Sequence, residues 1–245
     1  MKRLFAAILI LTLAAACIPA VAEEGDGLYA SVIRVQDSPA WITQLPEALD
    51  EQTTQLVVVA AMGMDLTTAS FSMHERDESG AWKQVLSSPG YVGKNGLVPD
   101  AERFEGCGRT PLGTYRFNRA FGIAPDPGCA IPYVQVDDDI YWSGDVNRHY
   151  NEMVRLSEEP ELDLTDSEHI VDYAYQYRYV LNISFNEDGT AGRGSAIFLH
   201  CLGPTKPYTG GCVAIPENIM KLVMQRVRED CVVVIGILED MGGSL

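Results

Sequence analysis

From Gln55 onward the chain falls into short apolar runs and stretches that alternate with period two, which predicts strands rather than helices. Residues 56–61 form a short unbroken apolar run, the mark of a strand covered on both faces. Residues 69–76 alternate. The turn formers Asp77, Glu78, Ser79 and Gly80 lead them into residues 82–86, which is a hairpin pattern. A turn at Thr110-Pro111-Leu112-Gly113 precedes another alternating stretch at 114–118. Residues 177–184 and 195–201 predict two more strands around the turn-rich 186–189, and residues 232–238 predict the last. Helical spacing is rarer. Pro216 suits a first helical turn, and Ile219, Leu222, Val223 and Val227 form an apolar stripe behind it. Residues 164–177 predict a second helix, capped by Thr165 or Asp166. The expected fold is mainly β with a few helices, as one domain over 51–240. Residues 23–50, with Pro39 and Pro46 and one strand candidate at 28–35, read as an extension or linker.

The N-terminus follows a different logic. Lys2 and Arg3 precede an apolar run at 4–16, and Ala20-Val21-Ala22 has the small-x-small form of a cleavage site. Residues 1–22 are therefore expected to be a signal peptide and the protein to be exported. A lipoprotein anchor at Cys17 ranks second, because the apolar residue of that motif sits one place too far upstream. No later segment is long and apolar enough to predict a stable membrane span.

Charge narrows the partners. The 245 residues carry a formal net charge of −16, and removal of Lys2 and Arg3 makes the remainder more acidic still. Such a surface repels nucleic acid and anionic lipid. Five cysteines follow Cys17, an odd number, so export implies at least one thiol left free or paired with another molecule. Cys107 and Cys129 bracket one loop-and-strand unit, and Cys201 and Cys231 stand at the ends of two strands, so pairing within each couple is one hypothesis, leaving Cys212 free; spacing does not derive the connectivity, and all five reduced is the alternative.

Cys212 is also where the chemistry gathers. His200 ends an apolar strand, a Gly- and Pro-rich loop follows, and Cys212 comes twelve positions later behind Gly210-Gly211. Such a loop can fold back and set a thiol beside an imidazole that takes its proton. The two glycines permit close approach of a substrate carbonyl, so the Cys212 N–H with Gly211 beside it forms a candidate oxyanion hole. Taken singly, a histidine and a cysteine in apolar surroundings are more often core residues. A zinc site from His200, Cys201 and Cys212 is the weaker alternative, since neighbours on a strand point to opposite faces. Lys94 and Arg109 are candidate holders of substrate carboxylates. Tyr150 and Asn151, in a segment mixing aromatic and polar groups, are candidate groove residues.

Several of these segments together resemble one family. Gly106-Cys107-Gly108-Arg109-Thr110-Pro111-Leu112-Gly113-Thr114-Tyr115-Arg116-Phe117 is similar to the T-P-x-G-x-[YF] signature of L,D-transpeptidase (YkuD-type) catalytic domains. Phe198-Leu199-His200 and Gly210-Gly211-Cys212-Val213 resemble the same family's active-site motif, and further similar blocks lie at 90–96, 141–142, 150–151 and 194–198. The resemblance implies a YkuD-like mixed β-sheet or sandwich domain that needs no cofactor. It implies Cys212 as nucleophile, His200 as general base, and Gly211 in the oxyanion hole. Thr209 and Gly210 fall beside them, on the substrate side of the motif. The implied partners are peptidoglycan stem peptides, joined through a thioester on cysteine. The chain departs from the family at Thr209-Gly210, where many members have Ser or Thr followed by His, and at Ala214, where many have Arg. Two alternatives stay open: an L,D-carboxypeptidase or endopeptidase using the same pair, and a non-catalytic wall-binding protein. The oligomeric state is left undetermined.

Overall fold

β-Branched and aromatic residues fill the most apolar strand segments, 57–59, 140–142 and 232–235, in keeping with their fit to a pleated, buried surface. The computed structural model describes residues 35–244; the expected leader and nearly all of the 28–35 strand candidate lie outside the described residues. The chain opens with β1 (Gln36–Asp37), the short helix α1 (Pro46–Leu49) and β2 (Gln55–Ala61). The hairpin β3 (Thr68–Arg76) and β4 (Trp82–Tyr91) follows, then β5 (Leu97–Pro99) and the long β6 (Thr110–Gly122). Short strands β7 (Tyr133–Gln135), β8 (Ile140–Trp142), β9 (Met153–Arg155) and β10 (Glu168–His169) occupy the middle. The last part contains β11 (Val180–Ile183), β12 (Phe198–Cys201), β13 (Val213–Ile215), α2 (Glu217–Met224) and β14 (Val232–Ile237).

The main sheet runs β4-β13-β12-β11-β6-β14-β2-β3, and β3 pairs back onto β4. That last pairing closes the sheet on itself and so leaves no free edge in the ring. β8, β9 and β10 form a separate three-stranded sheet. No helix among the described residues is long and apolar enough to cross a membrane.

Period-two alternation sorts the side chains between faces. In β2 and β14, Val57, Val59, Val233 and Ile235 join the principal core with Ile219, Met220 and Val223 of α2. Leu56, Val58, Val232 and Val234 point the other way and pack on Ile42, Leu45 and Ala48. In β12, Leu199 and Cys201 enter the principal core, whereas Phe198 faces a second cluster with Phe121, Trp142, Ile170 and Tyr177. This second face carries the candidate site.

Three expectations are corrected. Residues 164–177 form β10 and two 3₁₀ turns, Ile170–Asp172 and Gln176–Arg178, instead of one helix. Glu168 and His169 are drawn into the ladder by Trp142 and Tyr141 of β8, which outweighs their local preference. Thr110 to Gly113 is not a turn but the start of β6, where the short parallel strand β5 pairs with Thr110, Pro111 and Leu112. The suggested disulfides are absent: Cys107, Cys129, Cys201, Cys212 and Cys231 are all free thiols. The Cys201 thiol contacts the Tyr179 carbonyl and the Cys231 thiol that of Val232, so each core thiol has its own neighbour.

Candidate active site

Parallel pairing of β12 with β13 sets His200 opposite Ala214. Side chains two apart on a strand share a face, so Cys212, two residues before Ala214, emerges on the same face as His200 and Phe198. Parallel strands need a long return connection. Here that connection is the loop 202–212, and it is tied down. Thr209 N–H donates to Val92 O at 3.0 Å, and Lys94 N–H donates to Thr209 O at 2.9 Å. His200 and Cys212 are both buried, and both line one cavity of about 400 Å³.

Two threonine hydroxyls fix the Cys212 peptide. Thr209 Oγ1 donates to Cys212 O at 2.7 Å, and Thr110 Oγ1 donates to the same carbonyl at 3.1 Å. Thr110 Oγ1 in turn accepts Gly93 N–H at 2.9 Å. Gly93 is required there by close approach, because a β-carbon would lie 2.5 Å from Gly108 O. The threonine at the head of β6 therefore acts as a brace under the cysteine. Gly211 has φ +148, and its N–H donates to Thr209 Oγ1 at 3.0 Å, so this amide is already engaged.

The thiol itself lies between two backbone groups. Cys212 Sγ donates to Ala196 O at 3.1 Å and accepts Phe198 N–H at 3.4 Å. Burial pushes its pKa up to about 12, with the Glu168 carboxylate adding to the rise and the Phe198 N–H and Arg103 opposing it. Burial likewise drives His200 down to about 4, against the opposing hydrogen bond to Cys201 O. Thiol and imidazole are therefore both neutral near pH 7, in contrast to a resting thiolate–imidazolium pair. His200 Nδ1 lies 2.8 Å from Cys201 O. A carbonyl only accepts, so Nδ1 carries the proton and the Nε2 lone pair is left to act as a base. Tyr177 packs edge-on against the imidazole, with ring centroids 5.6 Å apart.

Among the residues singled out from sequence, Cys212, His200, Gly211, Gly210, Thr209 and Lys94 meet on the cavity wall. Arg109 does not. Its guanidinium donates to Leu97 O at 2.7 Å and pairs with Asp65 at 3.0 Å. Tyr150 and Asn151 stand behind the wall as framework. Tyr150 OH donates to Glu105 Oε2 at 2.6 Å, while Asn151 Oδ1 accepts Ala196 N–H at 2.9 Å and Trp142 Nε1–H at 3.0 Å.

Sequence reasoning missed Arg103, Glu105, Glu168 and Tyr177, all of which line the cavity. Glu168 accepts a 2.6 Å hydrogen bond from Tyr177 OH, and burial raises its pKa to about 7. Reading 164–177 as a helix hid that pair. Glu105 and Arg103 stand just before the Gly106–Phe117 block, and no motif marks them.

No protein-family model matches the chain, and no curated protein matches it. Two solved structures are similar to it in fold. One is the helical cell shape determining protein Pgp2 from Campylobacter jejuni, at 14% identity and a TM-score of 0.39 over 75% of this chain and 48% of that one. The other is an L,D-transpeptidase (Yku) from Stackebrandtia nassauensis, at 12% identity and a TM-score of 0.33 over 76% of this chain and 56% of that one. The chain thus spans about half the length of these two neighbours.

Proposed function

We propose that this chain is an exported cysteine acyltransferase that joins or remodels peptidoglycan stem peptides, with residues 51–240 as its catalytic domain and residues 1–22 as a removable leader. The observation that carries the reading is the placement of the Cys212 thiol and the His200 imidazole on one sheet face, lining one cavity, with the His200 proton held on Nδ1 by Cys201 O. The motif resemblance at Gly106–Phe117, His200 and Gly210–Val213 supplies the substrate class.

The chemistry follows from the protonation states. A neutral thiol that shares one cavity wall with a neutral base is deprotonated in step with attack, so Sγ bonds to the substrate carbonyl carbon as its proton passes to His200 Nε2. The Cys212 N–H is the donor assigned to the oxyanion, and Gly211 contributes its backbone conformation instead of its own engaged N–H. Collapse breaks the C–N bond, and the departing amine takes the proton from His200. This leaves a thioester on Cys212 and a neutral imidazole. An acceptor amine then attacks the thioester, again giving its proton to Nε2, and restores the thiol. Water at that last step gives hydrolysis by the same pair.

The test is product analysis with a disaccharide-tetrapeptide muropeptide. Wild type is expected to form a cross-linked dimer with loss of the terminal D-alanine, and Cys212→Ala to form none. Shortened monomer alone assigns the chain to the hydrolases, and unchanged muropeptide in both contradicts an enzymatic role on this substrate.

A further inference from the structure

Arg103 lies between β5 and β6 with only 5% of its surface exposed. Its guanidinium stays protonated at any ordinary pH, so a full positive charge is buried. Nη1 donates to Phe104 O, and Nε is buried without a partner. Neighbouring arginines are neutralised, Arg109 by Asp65 and Arg193 by Asp100, whereas Arg103 makes no ion pair among the described residues. Of the three cavity acids, Asp166 makes no ion pair with Arg103, and Glu105 and Glu168 are engaged elsewhere. Glu105 Oε2 accepts from Tyr150 OH, Ser195 N–H and Ser195 Oγ, and Glu168 accepts from Tyr177 OH.

The surroundings are shaped around this group. A β-carbon on Gly194 would lie 2.7 Å from Nη1, and one on Gly211 would lie 3.2 Å from Nη2. Both glycines have positive φ, +124 and +148, which keeps the chain close to the guanidinium on either side. The Phe185 ring lies 5.9 Å from Cζ. Arg103 is thus slotted between two glycines, with one end against the residue preceding Cys212 and the cavity before it.

A buried, unpaired cation is costly until an anion meets it. We infer that Arg103 is the anion-binding residue of this cavity and holds a carboxylate of the acyl donor beside the Gly211–Cys212 peptide. A standing positive charge matches a standing carboxylate better than an oxyanion that exists only during attack. The assignment rests on reading Cys212 as the nucleophile for a peptide carbonyl, and it adds that the donor must bear a free carboxylate near the scissile bond.

Two readouts on the full chain separate the two ideas. The first compares alkylation of Cys212 by iodoacetate and by iodoacetamide, located by peptide mass spectrometry, in wild type, Arg103→Gln and Arg103→Lys. The iodoacetate-to-iodoacetamide rate ratio is expected to fall roughly tenfold or more in Arg103→Gln, the loss of one charge-assisted contact, and to be largely kept in Arg103→Lys. The second compares donor peptides ending in carboxylate and in carboxamide, where Arg103→Gln is expected to erase the preference through KM. Turnover with both ratios unchanged in Arg103→Gln overturns the anion site and leaves the acyltransferase reading standing. No turnover in wild type, with the alkylation ratio still falling in Arg103→Gln, overturns the acyltransferase reading and leaves the anion site standing.

Discussion

The Cys212 thiol donates its hydrogen bond to the Ala196 carbonyl at 3.1 Å. Ala196 can present that carbonyl because it adopts φ 54, an uncommon conformation for a residue with a β-carbon, and Asn151 holds its N–H from behind. Burial keeps the Cys212 side chain a thiol at rest, and the Ala196 carbonyl accepts its hydrogen.

Its reactivity should follow from that state. With the thiol pushed up to about 12, the alkylation rate of Cys212 by iodoacetamide is expected to rise about tenfold per pH unit from pH 7 to pH 10 without levelling. A plateau below pH 8 in substrate-free protein would show a thiolate already formed, against the neutral pair.

Thr110 offers a sharper mutational test. Thr110→Val removes a donor to Cys212 O and leaves the Gly93 N–H without its acceptor. A loss of about 1–3 kcal/mol of stability is expected from the unpaired amide, together with a lower kcat. Thr110→Ser keeps the hydroxyl and should restore both. Thermal melts and steady-state kinetics of the two variants check this, and equal behaviour of Val and Ser would remove the brace.

Much of this was legible from residues alone, and the failures have physical causes. The hairpin β3–β4, the strands β2 and β14 and the helix α2 follow from strong apolar periodicity. His200 and Cys212 stand out in the sequence because a strand end and a glycine pair flank a loop long enough to return, and the structure sets both on one cavity wall. Thr110 was read as a turn because Pro111 and Gly113 follow it, yet β5 pairs with this stretch. Glu168 was lost inside a segment whose helical look depends on local preference, which pairing with β8 overrides. Arg103 carries no pattern at all: its role comes from the glycines that close around it, one of them more than a hundred positions away along the chain.

Asn151 is expected to matter for the framework, not for substrate contact. Its side chain binds Ala196 N–H, Trp142 Nε1–H and the carbonyls of Phe185 and Asn186. Asn151→Ala should cost about 2–4 kcal/mol in chemical denaturation by leaving these buried groups unpaired. A loss under about 0.5 kcal/mol, the range of an ordinary surface change, would contradict the placement.

Acid sensitivity should trace in part to His74, remote from the cavity. It is buried between Ser38 and Ser72, and burial lowers its pKa from 6.5 to about 4. The unfolded chain therefore binds a proton that the folded one refuses, and the contribution present above pH 6.5 is lost as pH falls toward 4. His74→Gln should flatten the fall in Tm between pH 7 and pH 5 relative to wild type. An unchanged slope would mean that other groups set the acid limit.

The central claim is a covalent one, and intact-protein mass spectrometry reads it directly. Wild type mixed briefly with a tetrapeptide donor and no acceptor is expected to gain the mass of the acyl fragment, mapped to Cys212 and absent from Cys212→Ala. His200→Ala should gain it far more slowly. An adduct on another cysteine, or product formed by Cys212→Ala at the wild-type rate, would contradict the account.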